Sequence, residues 1–202
     1  MRLLTLASLS VVASSAFADE LIDIPTARKI SFEDVRYEFR FEPDLRGSNQ
    51  QYLGIGVGKS FELDLRDIHN TGVAPVGTFD VSYNFIAALP GLAPGFACGV
   101  QDAANLTADG RRYYFVTTFR NEMDDIPGNV YTDLTLGFQT GSLTSPFVGV
   151  SMPFSKTFYL LAEDSGFRVS AGFELRPLPR VSVRFVVRNS QSLLSLSASG
   201  KF

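Results

Sequence analysis

The chain contains a single histidine, His69, so acid–base chemistry on an imidazole would have to centre there. Asp67 lies two residues earlier and would share a face with His69 in an extended segment. A general base needs a nucleophile or water within hydrogen-bond reach, and a partner that orients it. Asp67 fits the partner's role, but no motif marks a serine or threonine as the nucleophile. We therefore expect His69 to be a rim residue in a polar loop and predict no catalytic residue.

Metal-binding residue types are equally sparse. The only cysteine is Cys98, and the acidic residues are too scattered for the spacing of a metal site. We predict neither a metal site nor a cofactor. One cysteine also excludes an intramolecular disulfide, so rigidity must come from burial or from a closed hydrogen-bonded ladder.

Charged residues recur at alternate positions of apolar segments, and alternation gives an extended strand one polar and one apolar face. The basic residues expected to face inward are Arg36, Arg40, Arg168, Arg176, Arg184, Arg188 and Lys201. The acidic residues expected opposite them are Glu62, Asp64, Asp80, Asp133 and Glu163. A basic wall facing an acidic wall would set a field across a pore and select solutes by charge. Alternatively, the charges pair across the interior and seal it.

The elements that position these charges follow from a hydrophobic period of two. Residues 35–42 place aromatic or apolar side chains at odd positions and Arg or Glu at even ones, and residues 167–176 repeat the pattern. Twelve such segments follow one another to the end of the chain. The long, acidic link at residues 121–129 leaves ten strands as an alternative count.

Twelve alternating segments predict an all-β fold, a single closed antiparallel transmembrane β-barrel. A soluble secreted β-sandwich also alternates and stays as the competing fold. Aromatic positions favour the barrel. With both termini on the periplasmic side, one level of the outer face carries a girdle of Phe61, Phe85, Phe96, Phe119, Phe154, Phe158 and Phe202.

The two ends of the chain indicate export. Residues 1–18 combine a basic Arg2, an apolar stretch and a small-residue ending, which predicts a signal peptide cleaved between Ala18 and Asp19 and a barrel domain at residues 19–202. A last strand ending in Phe202 resembles bacterial outer-membrane barrels, whose assembly machinery reads such a signal. The resemblance implies an outer-membrane location, with membrane lipids and the barrel-assembly machinery as partners. The formal net charge of −3 gives no indication of nucleic-acid binding.

A short motif follows the predicted cleavage point: Leu-Ile-Asp-Ile-Pro-Thr-Ala at residues 21–27. It resembles the leading segment of the YjbH-like outer-membrane family, which implies a barrel in the cell envelope and a link to exopolysaccharide export. Because Pro25 cannot donate to a central ladder, we expect this segment to be a plug, or a strand-leading segment, inside the lumen.

Three functions are compatible with these features. The first is a non-catalytic small pore or envelope structural barrel with a charged lumen, passing small polar or anionic solutes or linked to polysaccharide. The second is an outer-membrane hydrolase using His69, since barrel enzymes of that membrane resemble one another in using a histidine. The third is a soluble sandwich that binds a partner.

Overall fold

The computed structural model describes residues 20–28, 32–44, 48–70 and 74–201. Among these residues, no helix is long and apolar enough to cross a membrane. The described residues form twelve strands: β1 Asp34–Glu42, β2 Ser48–Val57, β3 Phe61–His69, β4 Val76–Ile86, β5 Gly95–Gln101, β6 Arg112–Glu122, β7 Tyr131–Thr140, β8 Thr144–Pro153, β9 Phe158–Asp164, β10 Val169–Leu178, β11 Val181–Arg188 and β12 Gln191–Lys201.

Every strand pairs antiparallel with the next one along the chain, and β1 pairs with β12 to close a barrel. In that closing pair Tyr37 lies opposite Ala198 and Phe39 opposite Leu196. Closure gives each strand two hydrogen-bonded neighbours, so the sheet has no free edge. The predicted all-β, closed antiparallel barrel of twelve strands is confirmed, and both the sandwich and the ten-strand count are wrong.

The link at residues 121–129, which left ten strands as an alternative, forms a closed loop. It lies at the end of the barrel where β1 starts and β12 ends. We call this the terminal end and the opposite one the distal end. The N–H of Met123 donates to the carbonyl of Val130 at 2.9 Å, which closes the loop. Val130 is 3% exposed, and Ile126 packs against the apolar part of the interior. The loop's length therefore serves to turn apolar side chains towards the lumen.

Side chains of β1 show how alternation divides the barrel. Arg36 and Glu38 point inward and are 4% and 2% exposed, whereas Tyr37 points outward and is 43% exposed. The other strands repeat this arrangement, with apolar residues outside and polar ones inside. The barrel thus exposes its hydrophobic face and buries its charges. A domain packed around a hydrophobic core has the opposite arrangement.

Aromatic side chains gather on the outer face near the terminal end. The first residue of β3 is Phe61, the first of β9 is Phe158, and Phe154 directly follows β8. The rings of Phe154 and Phe158 lie 6.1 Å apart, and Phe158 continues to Phe173 at 5.8 Å. Phe202, which completes the girdle expected from the sequence, lies outside the described residues.

Part of the interior is apolar, which the sequence reading missed. Tyr114, Val116 and Phe147 point inward from β6 and β8 and are 6%, 0% and 4% exposed. A signal for them existed, because Tyr113 to Val116 is apolar at every position rather than at alternate ones. Such a run is typical of a strand buried on both faces.

Candidate functional site: the plugged lumen

Residues 20–28, which we call the plug, lie inside the barrel. Leu21, Ile22 and Ile24 are 6%, 3% and 1% exposed and join the apolar cluster of the inner wall. An eight-stranded barrel is about as wide as its own side chains can fill, and the diameter grows with strand number. Twelve strands leave room for an additional segment, and the plug occupies it.

The plug begins as a tight hairpin. The N–H of Leu21 donates to the carbonyl of Ile24 at 2.9 Å, and Glu20 bridges antiparallel to Pro25. Residues 26–28 then run towards the terminal end, where β1 begins. The segment is therefore a plug, one of the two roles expected from its sequence.

Glu163 on β9 holds the tip of this hairpin. Its carboxylate accepts the backbone N–H of Ile22 at 3.0 Å and that of Asp23 at 2.9 Å. The N–H of Ile24 points to the same carboxylate at 3.4 Å. Successive N–H groups aimed at one point form a concavity that holds an acceptor group, and the Glu163 carboxyl oxygens occupy it.

Three arginines of β1 and β11 also hold the plug. Arg188 pairs with Asp23 at 3.1 Å, and Arg40 pairs with Glu20 at 3.0 Å. Arg184 donates from Nη1 to the carbonyl of Leu21 at 3.1 Å. The acidic side chains of the plug thus neutralise arginines that line the lumen.

The terminal half of the plug is held by polar contacts of a different kind. The N–H of Ala27 donates to Oγ1 of Thr118, and Nδ2 of Asn84 donates to the carbonyl of Ala27, both at 2.9 Å. Arg28 pairs with Asp133 at 3.3 Å. The plug is therefore attached along its length to opposite walls of the barrel.

Gly149 on β8 gives the plug its space. A Cβ at this position would lie 2.5 Å from Cδ2 of Leu21 and 2.6 Å from Cδ1 of Ile24. Contacts that short do not occur between carbon atoms, so a larger residue would force the ends of the Leu21 and Ile24 side chains, or the strand, to shift. Only glycine lets the plug approach this wall so closely.

The wall charges are interleaved rather than segregated. Arg36 pairs with Asp64 at 3.2 Å, Arg40 with Glu38 at 2.7 Å, and Arg184 with Glu174 at 3.0 Å. Further pairs join Arg176 to Glu174, Arg120 to Asp133, Arg66 to Asp80 and Arg188 to Glu42. The expected basic wall opposite an acidic wall is therefore not formed, because β1 and β10 each carry both signs.

Most of the expected lumen residues lie on the inner face. Buried there are Arg36, Arg40, Arg184, Arg188, Glu62, Asp64, Asp80, Asp133 and Glu163, with Arg176 half-buried. Two expectations are wrong. Arg168 is exposed in the turn before β10, since that strand begins one residue later, and Lys201 is exposed at the end of β12.

His69 is the last residue of β3, at the distal end. Its Nε2 lies 2.9 Å from a carboxylate oxygen of Asp67, and the two side chains are 37% and 51% exposed. The pairing expected from the spacing is thus present, on an open rim rather than in a cleft.

A cavity of about 360 Å³ opens at the distal end. Glu20 and Asp23 of the plug form part of its lining, beside Tyr52, whose ring stacks under the guanidinium of Arg40 at 4.2 Å. The arginines that line the cavity are Arg40, Arg66, Arg112, Arg168 and Arg188. We call this cavity the vestibule.

Asp102, directly after β5, organises the vestibule's loop. It is 3% exposed and accepts hydrogen bonds from Thr78 at 2.6 Å, from the hydroxyl of Thr107 at 2.7 Å and from the N–H of Leu106 at 2.9 Å. Burial alone would raise the pKa of this carboxyl, but the hydrogen bonds prevail and lower the pKa from 3.8 to about 2. Asp102 is thus an ionised anchor and not a proton donor.

Within the described ranges, no group of three or more His, Cys, Asp or Glu side chains could hold a metal ion. No protein-family model matches the chain, and no curated protein matches it significantly. The class is consequently defined by architecture alone, as a closed twelve-strand antiparallel barrel with an internal plug.

Proposed function

We propose that this chain is a non-catalytic outer-membrane β-barrel whose lumen is closed by its own plug, and that small polar or anionic solutes pass when the plug moves. The observation that carries the proposal is the position of residues 20–28 inside a barrel that is apolar outside and charged inside. Closed barrels and helices are the structures that satisfy every backbone group in hydrocarbon.

The outer surface supports the membrane part of this proposal. Large side chains such as Phe138 and Leu196 are each 52% exposed on the wall of the barrel. Continuous exposed apolar surface of this kind marks contact with a partner or a membrane. Membrane lipids are therefore its proposed surroundings, reached through the predicted signal peptide and the barrel-assembly machinery.

The charges of the lumen support the transport part. Ion pairs such as Arg36 with Asp64 and Arg184 with Glu174 stay within the wall when the plug leaves. Arg40 and Arg188, in contrast, also hold the plug's carboxylates and would face the opened lumen. A lumen lined by these arginines favours anions.

Gly149→Ala tests the proposal without altering charge. The added methyl would overlap the side chains of Leu21 and Ile24, so the plug should leave its position against β8 more often. In planar bilayers the parent protein is expected to open rarely, and the variant to open at least several-fold more often with a preference for anions. Gly77→Ala is the matched control, because its nearest neighbour is a backbone oxygen 4.0 Å away.

Equal conductance of the parent, Gly149→Ala and Gly77→Ala would contradict the role of the plug as a gate. A parent protein that is already widely open would contradict it as well. Both conclusions require that the protein inserts into the bilayer in its folded form. Gel migration with and without boiling checks that each preparation is folded.

The hydrolase alternative depends on the contact between His69 and Asp67. We propose that this pair is not catalytic, since both side chains are exposed at the rim. The variant His69→Ala separates the two functions: it should conduct like the parent. Loss of a lipid- or peptide-cleaving activity in that variant would favour the enzyme.

The resemblance of residues 21–27 to the YjbH-like family stays a prediction, and so does its implied link to exopolysaccharide. What supports an envelope role for this motif is its position, because the same seven residues form most of the plug.

A further inference from the structure

The arginines that line the vestibule are not all paired with acidic residues of the protein. Nε of Arg112 is buried without a hydrogen-bond partner among the described residues, and so is Nε of Arg66. Neither Arg112 nor Arg168 forms an ion pair within the described part of the chain. Buried guanidinium N–H groups without partners are costly, which points to a missing acceptor.

The plug shows which acceptor these arginines take. Asp23 and Glu20 place carboxylates at 3.1 Å from Arg188 and 3.0 Å from Arg40, at the floor of the vestibule. Both arginines also have a wall partner, because Arg188 contacts Glu42 and Arg40 contacts Glu38. Each can therefore release its plug carboxylate and still keep one ion pair.

The excess of positive charge in the vestibule grows when the plug leaves. Five arginines line the vestibule against four acidic residues, namely Glu20, Asp23, Asp102 and Asp109. Asp102 is engaged by its own loop. Without Glu20 and Asp23, two acidic residues of the lining remain. Arg40, Arg188 and Arg66 then keep only their wall partners Glu38, Glu42 and Asp80, so an incoming anion gains most where the plug has been displaced.

We propose that the vestibule is a binding site for a small solute carrying carboxylate or phosphate groups, and that this solute competes with Asp23 and Glu20 of the plug. The inference rests on the proposed function and deepens it, since it names the ligand class and couples binding to opening. A cavity of about 360 Å³ suits a small organic acid or phosphate ester.

Calorimetric titration of the detergent-folded protein at low salt tests the site, with citrate as the carboxylate probe and inorganic phosphate in a parallel arm. The double variant Arg112→Gln/Arg168→Gln should bind the preferred probe at least tenfold more weakly. Arg180→Gln is the matched control for Arg168→Gln alone, because each removes one positive charge from an exposed turn and Arg180 lies at the terminal end. The single variant Arg168→Gln, in an exposed turn, covers the case in which the double variant does not fold.

Competition with the plug also predicts a variant that binds the probe more tightly rather than more weakly. Asp23→Asn removes one of the plug's two carboxylates while conserving its shape, so it should tighten binding of the same probe several-fold. A simple surface attraction would respond to Arg180→Gln as strongly as to Arg168→Gln and would ignore Asp23→Asn. Either of those results, or no binding of either probe, overturns the inference.

These outcomes can be told apart from failure of the proposed function. Binding is measured in solution and does not depend on conductance, so a protein that binds citrate as described but never conducts would overturn the pore alone. A protein that conducts when Gly149 is replaced but binds neither probe would overturn the vestibule site alone.

Discussion

At the scale of single residues, a few buried side chains decide how the polar interior is organised. Glu163 satisfies three backbone N–H groups of the plug, and Asp102 gathers hydroxyl and N–H donors of the distal loop. An isolated charge in such a place would be expensive. Each carboxylate is tolerated because hydrogen bonds or arginines surround it.

The lowered pKa of Asp102 predicts a pH-dependent contribution to stability. A native pKa of about 2, below the unfolded value of 3.8, stabilises the fold above pH 4 and loses this effect as the pH falls towards 2. At pH 7, Asp102→Asn should lower the free energy of unfolding by about 2 kcal/mol, the typical effect of losing hydrogen bonds to a charged acceptor.

Urea titrations of the detergent-folded parent and variant at several pH values measure this difference. It should shrink as the pH approaches 2, because the parent's carboxyl is then protonated as well. Asp109→Asn, an exposed residue of the same loop, is the control and should match the parent. A difference that stays constant from pH 7 to pH 2 would contradict an ionised anchor.

At this scale the sequence identified which residues face inward but not which residues they contact. Alternation placed Arg36 and Asp64 on the inner face, yet their 3.2 Å pairing joins strands that are not neighbours. Such contacts depend on barrel diameter and on the shift between strands. Arg168 was misplaced because β10 begins at Val169 rather than at residue 167, a shift of two residues that takes this side chain off the inner face of the strand.

At the scale of elements, turn geometry governs how the strands are joined. β11 and β12 are linked by Asn189 and Ser190 alone, with φ values of 46° and 70°. Two consecutive positive φ angles define the hairpin turn that matches the right-handed twist of strands. Asparagine tolerates this conformation, whereas serine does not favour it.

Ser190→Gly should therefore stabilise the barrel by about 0.5–1 kcal/mol, because glycine adopts positive φ without steric cost. Urea midpoints of the detergent-folded protein measure the effect. Ser155→Gly provides a contrast of opposite sign, since the Ser155 hydroxyl accepts the N–H of Phe158 at 3.0 Å. A lower midpoint for Ser190→Gly would show that the serine makes a contribution beyond its backbone angle.

The strands themselves were predictable from a period of two. Residues 35–42 were expected to form a strand, and β1 covers Asp34–Glu42. Alternation is a local property, so it can be read without knowing the fold. Segments that are apolar on both faces, such as Tyr113 to Val116, hid the inward residues of β6.

At the scale of the whole molecule, closing the sheet into a barrel creates an interior that must then be filled. Joining β1 to β12 removes the sheet's edges, and twelve strands then enclose more space than their side chains fill. Residues 20–28 and a network of arginine–carboxylate pairs occupy that space. From the sequence, a plug was one of two expected roles for residues 21–27, whereas the attachments to Glu163 and Gly149 required the assembled barrel.

The central claim, that the folded chain is an outer-membrane barrel, is tested most directly by fractionating Gram-negative cells that express the full chain. Membranes are washed with urea, and the protein is run on a gel with and without boiling. We expect the protein to stay in the outer-membrane fraction and the unboiled, folded barrel to migrate differently from the boiled chain. A protein recovered in the soluble fraction without detergent, with the same migration before and after boiling, would contradict it.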